Sequence, residues 1–575
     1  MNVINGLPPV ITPDTNISLD IEMFGQTLGK LHRPHGRLAS VQVGVGEDVY
    51  MLYDAQDLPA LFERIANAKT FVLHNSLYDL RQLRAFIPIK KRLLWDTLLV
   101  ERILFGGYYG GGEFGLNDLV RRYLGIHLEK ETRSDFATAT YMTDDMKHYA
   151  ALDAYYTLKV KQAQDAEIAK RKYDMYTYYE IDEPCIWTVM DFKPIKINVK
   201  RWLEMAMEFE QRGRDIENEL GFNTKSWAQV ADQIKRRSGF NMPTKKDTGN
   251  PVTDEAALIA NRDKIGIELC DKILLARQYR TAASTFGKRW IDKYVEEDGL
   301  VYSDISVTGA ETGRTISSNP NLNQIPSRKI PEYRKLFVTN QGKLIVADIQ
   351  AQEPRCLAYL SGDKNLRAIF ERKEDVHLEV AKAAFRDDSI TKSDPRRDVG
   401  KIINLATSYG MTAEGMAKRL RVDVKQTEEF LRGYFTRFSD VRLYIDNQRM
   451  KARQQEYVES VTGRRIWVNR HSYQWENNAI NAPIQASAAD YTKMWMNKYW
   501  EACNREGIPF PVTMSVYDEL VSDVAKELEP TYIKLLNDTA QDTAQTLFGD
   551  MPFELEVESG RAWSCKKGDE DGTDL

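Results

Sequence analysis

Polar and apolar residues alternate over residues 17–22 (Ile-Ser-Leu-Asp-Ile-Glu), and an apolar run follows at 70–73. Period-two alternation and short apolar runs both predict strands. Residues 144–164 carry helical spacing, so residues 17–160 read as an α/β unit, with a glycine-rich loop at 106–115. Residues 165–298 read as mostly helical and are rich in Glu, Lys and Arg. Amphipathic helices are predicted at 202–220 and within 267–294, separated by a Gly/Pro/Asn/Thr-rich loop at 239–253. Strands and turns return at 299–361, helices fill 362–456, and the remainder mixes strands with a long helix over 477–501. Two apolar runs stand out because each carries an acid at or near its end, Leu344-Ile345-Val346-Ala347-Asp348 and Val516-Tyr517-Asp518-Glu519-Leu520. A carboxylate at the end of a buried strand is costly unless it finds a cation. Two of them meeting across adjacent strands would suit Mg²⁺, which takes one or two carboxylates plus substrate phosphates.

At 575 residues the chain exceeds a single core and predicts several domains. Hydrophobic and charged contents of 42% and 28% are those of a soluble globular protein, with no apolar stretch long enough for a membrane span and no secretory signal pattern. The five cysteines are scattered, odd in number and free of any CxxC pair. That pattern excludes a disulfide framework or zinc site and predicts a reduced, cytoplasmic setting. A net charge of −5 does not advertise nucleic-acid binding, but distribution matters more than the total. Basic clusters occur at Lys235-Arg236-Arg237, Lys245-Lys246, Arg277 with Arg280, Lys288-Arg289 and Arg464-Arg465, and acids gather in the C-terminal tail.

Asp20 and Glu22 share one face of a strand; Asn75 and Asp79, and Tyr149 and Asp153, are each four apart, as on one helix face. Any one pair by itself reads more readily as ordinary surface acids. Together they offer four carboxylates that repel unless cations neutralise them, and a phenol able to orient water. The ordered set resembles the DEDD exonucleases of the Tyr subtype over about residues 15–165. Trp95-Asp96-Thr97 and Leu116-Asn117-Asp118-Leu119 match the structural segments of that domain. The resemblance implies an RNase H-like fold and 3′→5′ hydrolysis of a nucleic-acid strand, with Asp20, Glu22, Asp79 and Asp153 as metal ligands and Tyr149 as a catalytic residue.

Arg397, Lys401, Leu405 and Tyr409 recur every four residues and form one face of a helix. Two cations so placed repel, and a triphosphate between them reverses the sign. A solvated basic helix is the plainer reading of that segment alone. The helix is flanked by Asp348-Ile349-Gln350-Ala351-Gln352-Glu353-Pro354-Arg355 and Val516-Tyr517-Asp518-Glu519. The three segments resemble, in order, motifs A, B and C of family A DNA polymerases, the DNA polymerase I family. Thr312-Gly313-Arg314, Ser317 to Leu322, Asp375-Val376-His377, Thr462-Gly463-Arg464-Arg465 and Asn481 to Gln485 resemble further segments of that family in the right order. The resemblance implies that Asp348 and Asp518 hold two Mg²⁺ per active site, with Mn²⁺ able to substitute. It implies that Arg397, Lys401 and His377 hold the triphosphate, Lys401 also as proton donor, and that Glu353 is the steric gate against a ribose 2′-hydroxyl. Leu405 and Tyr409 would line the nucleotide site. Arg314, Asn321, Asn481, Gln485 and Arg464 would contact DNA.

The chain departs from the family pattern at Leu405 (usually Phe or Tyr), Ala351 (usually Gln), Asn477 (commonly Arg) and Tyr517 (commonly His). None is a metal ligand, so altered selectivity or speed is expected rather than inactivity. The expected organisation is an RNase H-like exonuclease domain at 1–165 followed by a right-hand polymerase. That polymerase comprises linker helices and thumb at 166–298, palm at 299–361 and 457–565 and fingers at 362–456, with a disordered acidic tail at 566–575. An exonuclease motif beginning at Asp20 leaves no room for a 5′-nuclease domain, and the compact build resembles a bacteriophage replicative enzyme in a host cytoplasm. The expected partners are primer–template DNA and dNTPs, with no membrane, and the expected state is a monomer. The alternative is a 3′→5′ exonuclease whose polymerase half only binds primer–template. Intact Asp348, Lys401 and Asp518 argue against it.

Overall fold

The computed structural model describes residues 1–25, 36–109, 112–128, 131–326 and 330–563. Six strands open the chain: β1 (Asn2–Asn5), β2 (Asn16–Phe24), β3 (Arg37–Val45), β4 (Asp48–Leu52), β5 (Thr70–Leu73) and β6 (Leu94–Asp96). They form one mixed sheet in the order β1-β4-β3-β2-β5-β6, with β2, β5 and β6 parallel. Helix α1 (Ser76–Leu83) leaves β5, and α2 (Thr97–Phe105) leaves β6. Helix α3 (Asp144–Arg171), capped by the Thr143 hydroxyl, lies across β2 and β3. The approach is so close at Gly44 that an added Cβ would sit 2.3 Å from Ser18 Oγ and 3.3 Å from the Ala154 carbonyl. Helix α3 runs seven residues past the expected stop at 164, so the expected domain boundary at 165 falls inside it.

A π-helical turn (Tyr178–Asp182) leads into α4 (Glu183–Met190). The next unit is a long pair of helices, α5 (Val199–Leu220) and α6 (Ile267–Thr285). Its base is an aromatic cluster in which Trp202 stacks on Trp290 at 4.4 Å and meets Phe286, Tyr333 and Phe337. Its tip has a small core of its own around Val230, Ile234, Leu258 and Ile273. Four antiparallel strands follow: β7 (Gly342–Ile349), β8 (Val512–Val516), β9 (Glu519–Ala525) and β10 (Leu555–Gly560), in the order β8-β9-β7-β10. Between β7 and β8 in sequence lie α7 (Gln352–Ser361), α8 (Val376–Phe385), α9 (Arg396–Ser408) and α10 (Trp475–Arg505), the last longer than the 477–501 expected. The expected boundaries at 361 and 456 coincide with helix ends capped by left-handed Gly362 and Glu456. The architecture is thus the expected one, an α/β unit followed by a hand-like arrangement.

The glycine-rich loop joins the two halves. The Trp467 backbone and indole N–H groups donate to the Gly106 and Leu104 carbonyls, each at 2.8 Å, and a Cβ on Gly107 would lie 2.5 Å from the Trp467 carbonyl. Cys185, Cys270, Cys356 and Cys503 are buried free thiols; Cys565 and the tail at 566–575 lie outside the described residues. Among the described residues no helix is long and apolar enough to cross a membrane.

Candidate active sites

The two outstanding aspartates do come together. Asp348 is the penultimate residue of β7, at the centre of the four-stranded sheet, and Asp518 lies in the tight turn between β8 and β9. The Ile349 amide donates to the Asp518 carbonyl at 3.3 Å. Asp348 pairs in register with Glu519 on β9 and Glu556 on β10, so three acids stand side by side on adjacent strands. Like charges directly opposite destabilise a sheet. Burial, then Asp518, Glu519 and Glu556, push the Asp348 carboxyl up to about 8, and burial chiefly raises Asp518 as well. A carboxyl held above neutrality by its neighbours is a poor structural element and a good receptor for a cation. Glu519 is partly satisfied, accepting from the Trp563 indole at 2.5 Å and standing 3.7 Å from Arg334. Asp348, Asp518 and Glu519 line a cleft of about 1180 Å³ together with Arg277, Gln278 and Thr281 of α6.

The backbone on both sides of the acids is left-handed at residues other than glycine: Ala351 at φ 50° and Tyr517 at φ 60°. Such conformations cost roughly 1–3 kcal/mol and mark over-determined sites. Ala351 turns the chain from β7 into α7 so sharply that Glu353 comes back beside Asp518. Both residues are among the departures from the family pattern. Glu353 is held by Arg314 at 2.5 Å. The Tyr409 phenol lies beside Glu353 and accepts from Gln485 at 3.3 Å, while Asn481 donates to the Ser408 carbonyl at 3.2 Å. Asn321 caps a 3-10 turn through its side chain.

On α9, Gly400, Ile403, Asn404 and Thr407 are buried, whereas Arg397, Lys401 and Leu405 are half-buried and Tyr409, just past the helix end, is exposed. Arg397 is engaged: its Nη2 sits 2.6 Å from Asp375, which also caps α8 through the amides of His377 and Leu378. His377 faces Lys401 and Arg397. Burial first, with those cations helping against the pull of Asp375, lowers it to about 4. Between about pH 6.5, the ordinary histidine value, and 4 the unfolded chain takes up a proton that the folded one refuses, so this site destabilises the fold as pH falls through that window. Histidine NMR should place its midpoint near 4 in the free protein and higher with triphosphate bound; a midpoint near 6.5 in the free protein would contradict this environment.

In the first unit, Asp20 and Glu22 project from β2, and buried Asp79 on α1 accepts from the Ile21 amide between them. Burial and then Asp20, Glu22 and Asp96 raise Asp79 well above the carboxylate range. Asp153 and Tyr149 lie on α3, with the Tyr149 ring 6.3 Å from Phe136. Among the described residues no three acid, His or Cys side chains already stand as one metal cage.

Arg464, expected to contact DNA, is instead buried against acids of the chain itself. It is 2% exposed, and its guanidinium is clamped by Asp182 at 2.8 and 2.9 Å and by Asp490 at 2.7 and 2.9 Å. Lys493 also pairs with Asp182, giving two buried acids and two buried cations. Arg277 and Arg280, one of the basic clusters of the sequence, are likewise engaged internally, by the Thr224 and Thr253 carbonyls and by Glu217. The residue patterns missed three groups: Glu556, Asp375 as partner of Arg397, and Asp96. Asp96 accepts from the amides of Asn75, Ser76, Leu98 and Leu99, so it caps α1 and α2 together beside Asp79. Asp96 lay in a quoted segment, and its N-cap position before an apolar helix was the available signal. Glu556 stands amid the alternating acids Glu554, Glu556 and Glu558, which singled none out.

A family model described as DNA polymerase family A matches residues 198–565, and one described as 3′-5′ exonuclease matches 12–168. DNA polymerase I of Chloroflexus aurantiacus is 28% identical over 521 residues, covering 85% of this chain and 54% of that protein. DNA polymerase I of Mycobacterium tuberculosis is 29% identical over 571 residues, covering 94% and 62%. The chain spans about half the length of the curated relatives it matches. Among solved structures, the POL domain of Pol1 from M. smegmatis, in complex with DNA primer–template and dNTP, superposes with a TM-score of 0.83 at 25% identity, covering 97% of this chain and 99% of that one.

Proposed function

Since this chain belongs to DNA polymerase family A and carries a 3′-5′ exonuclease domain, we propose that it extends a primer 3′ end with dNTPs under template direction and removes misincorporated ends with its first unit. The observation that carries this reading is the meeting of Asp348 and Asp518 in a cleft bordered by Glu353, whose other neighbours are Arg314 and the Tyr409 end of the cationic helix. The donor set suits Mg²⁺, with Mn²⁺ as a substitute. It is all oxygen, strained by like charge, and limited to a few carboxylates, so that phosphate oxygens complete the shell. Two such ions per site, held by Asp348 and Asp518, would supply charge neutralisation and a lowered pKa for the attacking hydroxyl.

The chain's own residues do the rest. Lys401 and Arg397 grip the triphosphate, Arg397 exchanging part of its contact with Asp375 for phosphate oxygens. Neutral His377 donates a hydrogen bond rather than a charge, and Lys401 is the proton donor to the leaving pyrophosphate. Glu353 can act as a steric gate because Arg314 pins its carboxylate. Leu405 offers neither stacking nor a hydroxyl at the sugar. Asn481 and Gln485, with Arg314 and Asn321, meet the minor-groove acceptors that all pairs share. In the exonuclease site Asp20, Glu22, Asp79 and Asp153 would hold the divalent ions that activate water, and Tyr149 would orient that water.

Primer extension with Mg²⁺ and dNTPs, beside single-strand digestion without dNTPs, tests both activities. Asp20→Ala with Glu22→Ala is expected to reduce digestion at least about a hundredfold, the scale of losing a metal-activated nucleophile, and to leave extension intact. Persistent digestion would refute that site.

A further inference from the structure

Helix α10 enters the polymerase site with a stripe of residues four apart. Gln485 donates to the Tyr409 phenol, Asn481 donates to the Ser408 carbonyl, and Asn477 abuts Gly410, where an added Cβ would lie 3.3 Å from the asparagine. All three therefore border residues 408–410, where α9 ends. Four residues before Asn477, in the turn that leads into α10, stands Tyr473. Its relative exposure is 101%, against 71% for Tyr141, the next most exposed large apolar side chain among the described residues.

The loop that carries Tyr473 is folded. The Ser472 amide donates to Asn469 and the Trp475 amide to Ser472. Arg470 donates to the Arg453 carbonyl at 3.1 Å and to Glu456 at 2.5 Å. Trp475 packs under Arg453 at 5.4 Å. An aromatic ring held out on a braced loop loses little freedom when a flat partner covers it. The cations beside it, Arg453 and Arg470, are largely neutralised by Glu456 and Glu476, so the site favours a π-face over a phosphate.

We propose that Tyr473 is a stacking platform for an unpaired base of the incoming template strand, upstream of the templating position. The inference rests on the polymerase reading above, in which Tyr409 lines the nucleotide site and so stands beside the template base that pairs there. At the helical rise of about 1.5 Å per residue, α10 extends roughly 15 Å from Gln485 back to its first residue, Trp475, and the turn bearing Tyr473 adds two residues beyond it. That is the length of about five stacked bases at ~3.4 Å each. Base–aromatic stacking is indifferent to sequence because every base has a π-face, which suits a contact that all templates must pass.

The test is equilibrium binding of the full chain, without divalent cation, to primer–templates with template overhangs of one and eight nucleotides. Tyr473→Ala is expected to weaken binding about five- to tenfold on the longer overhang and to leave the shorter one unchanged. Tyr473→Trp should retain wild-type affinity on both, and an abasic long overhang should abolish the difference between wild type and Tyr473→Ala. Equal affinity of wild type and Tyr473→Ala on the long overhang would overturn the proposal and leave the ring to a protein partner. A wild-type chain that neither binds these duplexes nor extends a primer would instead refute the polymerase reading itself.

Discussion

Asp348→Ala is expected to reduce primer extension by at least about a thousandfold, the scale on which losing a charge-stabilising group acts in phosphoryl transfer, while single-strand digestion continues at the wild-type rate. The sheet explains why the loss is selective. Asp348 sits on the central strand between Glu519 and Glu556, and its carboxyl is pushed up to about 8 by burial and by these neighbours. The fold thus works against its charge, so removing it costs no stability, and the variant should melt at or above the wild-type temperature. A stable, digesting, non-extending protein is the expected phenotype. Extension within tenfold of wild type would show that the polymerase site had been assigned to the wrong acids.

The second large effect is expected far from either cluster of acids. Arg464→Met should destabilise the fold by about 3–5 kcal/mol, the cost of removing one partner from a buried ion pair. Asp182 and Asp490 would remain buried, with hydroxyl donors but with Lys493 as the one remaining cation of the network. Burial by itself raises the Asp182 carboxyl, and it is Arg464 and Lys493 that pull it below its ordinary value. Denaturant unfolding measures the effect directly. Small destabilisation with weakened DNA binding would restore Arg464 to the DNA contacts from which its burial removes it. The network also ties the π-helical turn after the first unit to residues 460–464 and to α10, so loss of stability should be felt by both halves.

The acids that matter most were legible because their chemistry contradicts their surroundings. Asp348 and Asp518 adjoin apolar runs, and Asp20 and Glu22 interrupt a strand; an acid where an apolar residue would be cheaper signals itself. The stripe on α9 was legible for the same reason, since Arg397 and Lys401 repel each other without an anion. Arg464 misled because a basic pair in a polar stretch looks the same whether it faces DNA or Asp182. Glu556 was invisible because its importance comes from pairing with Asp348 across two strands from distant segments. The overrun of α3 beyond residue 164 came from charged residues on its solvent face, which blur the apolar period without ending the helix.

By itself the sequence determined which chemistries this chain can perform. The residue types at the spacings of strands and helices, the order of those segments and the departures at Ala351, Leu405, Asn477 and Tyr517 are all local properties. Only the tertiary structure decided which charges face substrate and which face each other. Arg464 turns inward, Arg277 is held by backbone carbonyls at the cleft wall, Arg397 is engaged by Asp375, Arg314 pins Glu353, and Tyr473 stands alone in solvent. The physical reason is that a charge's role depends on its nearest opposite charge and its distance from water. Both are set by contacts between residues far apart in the chain.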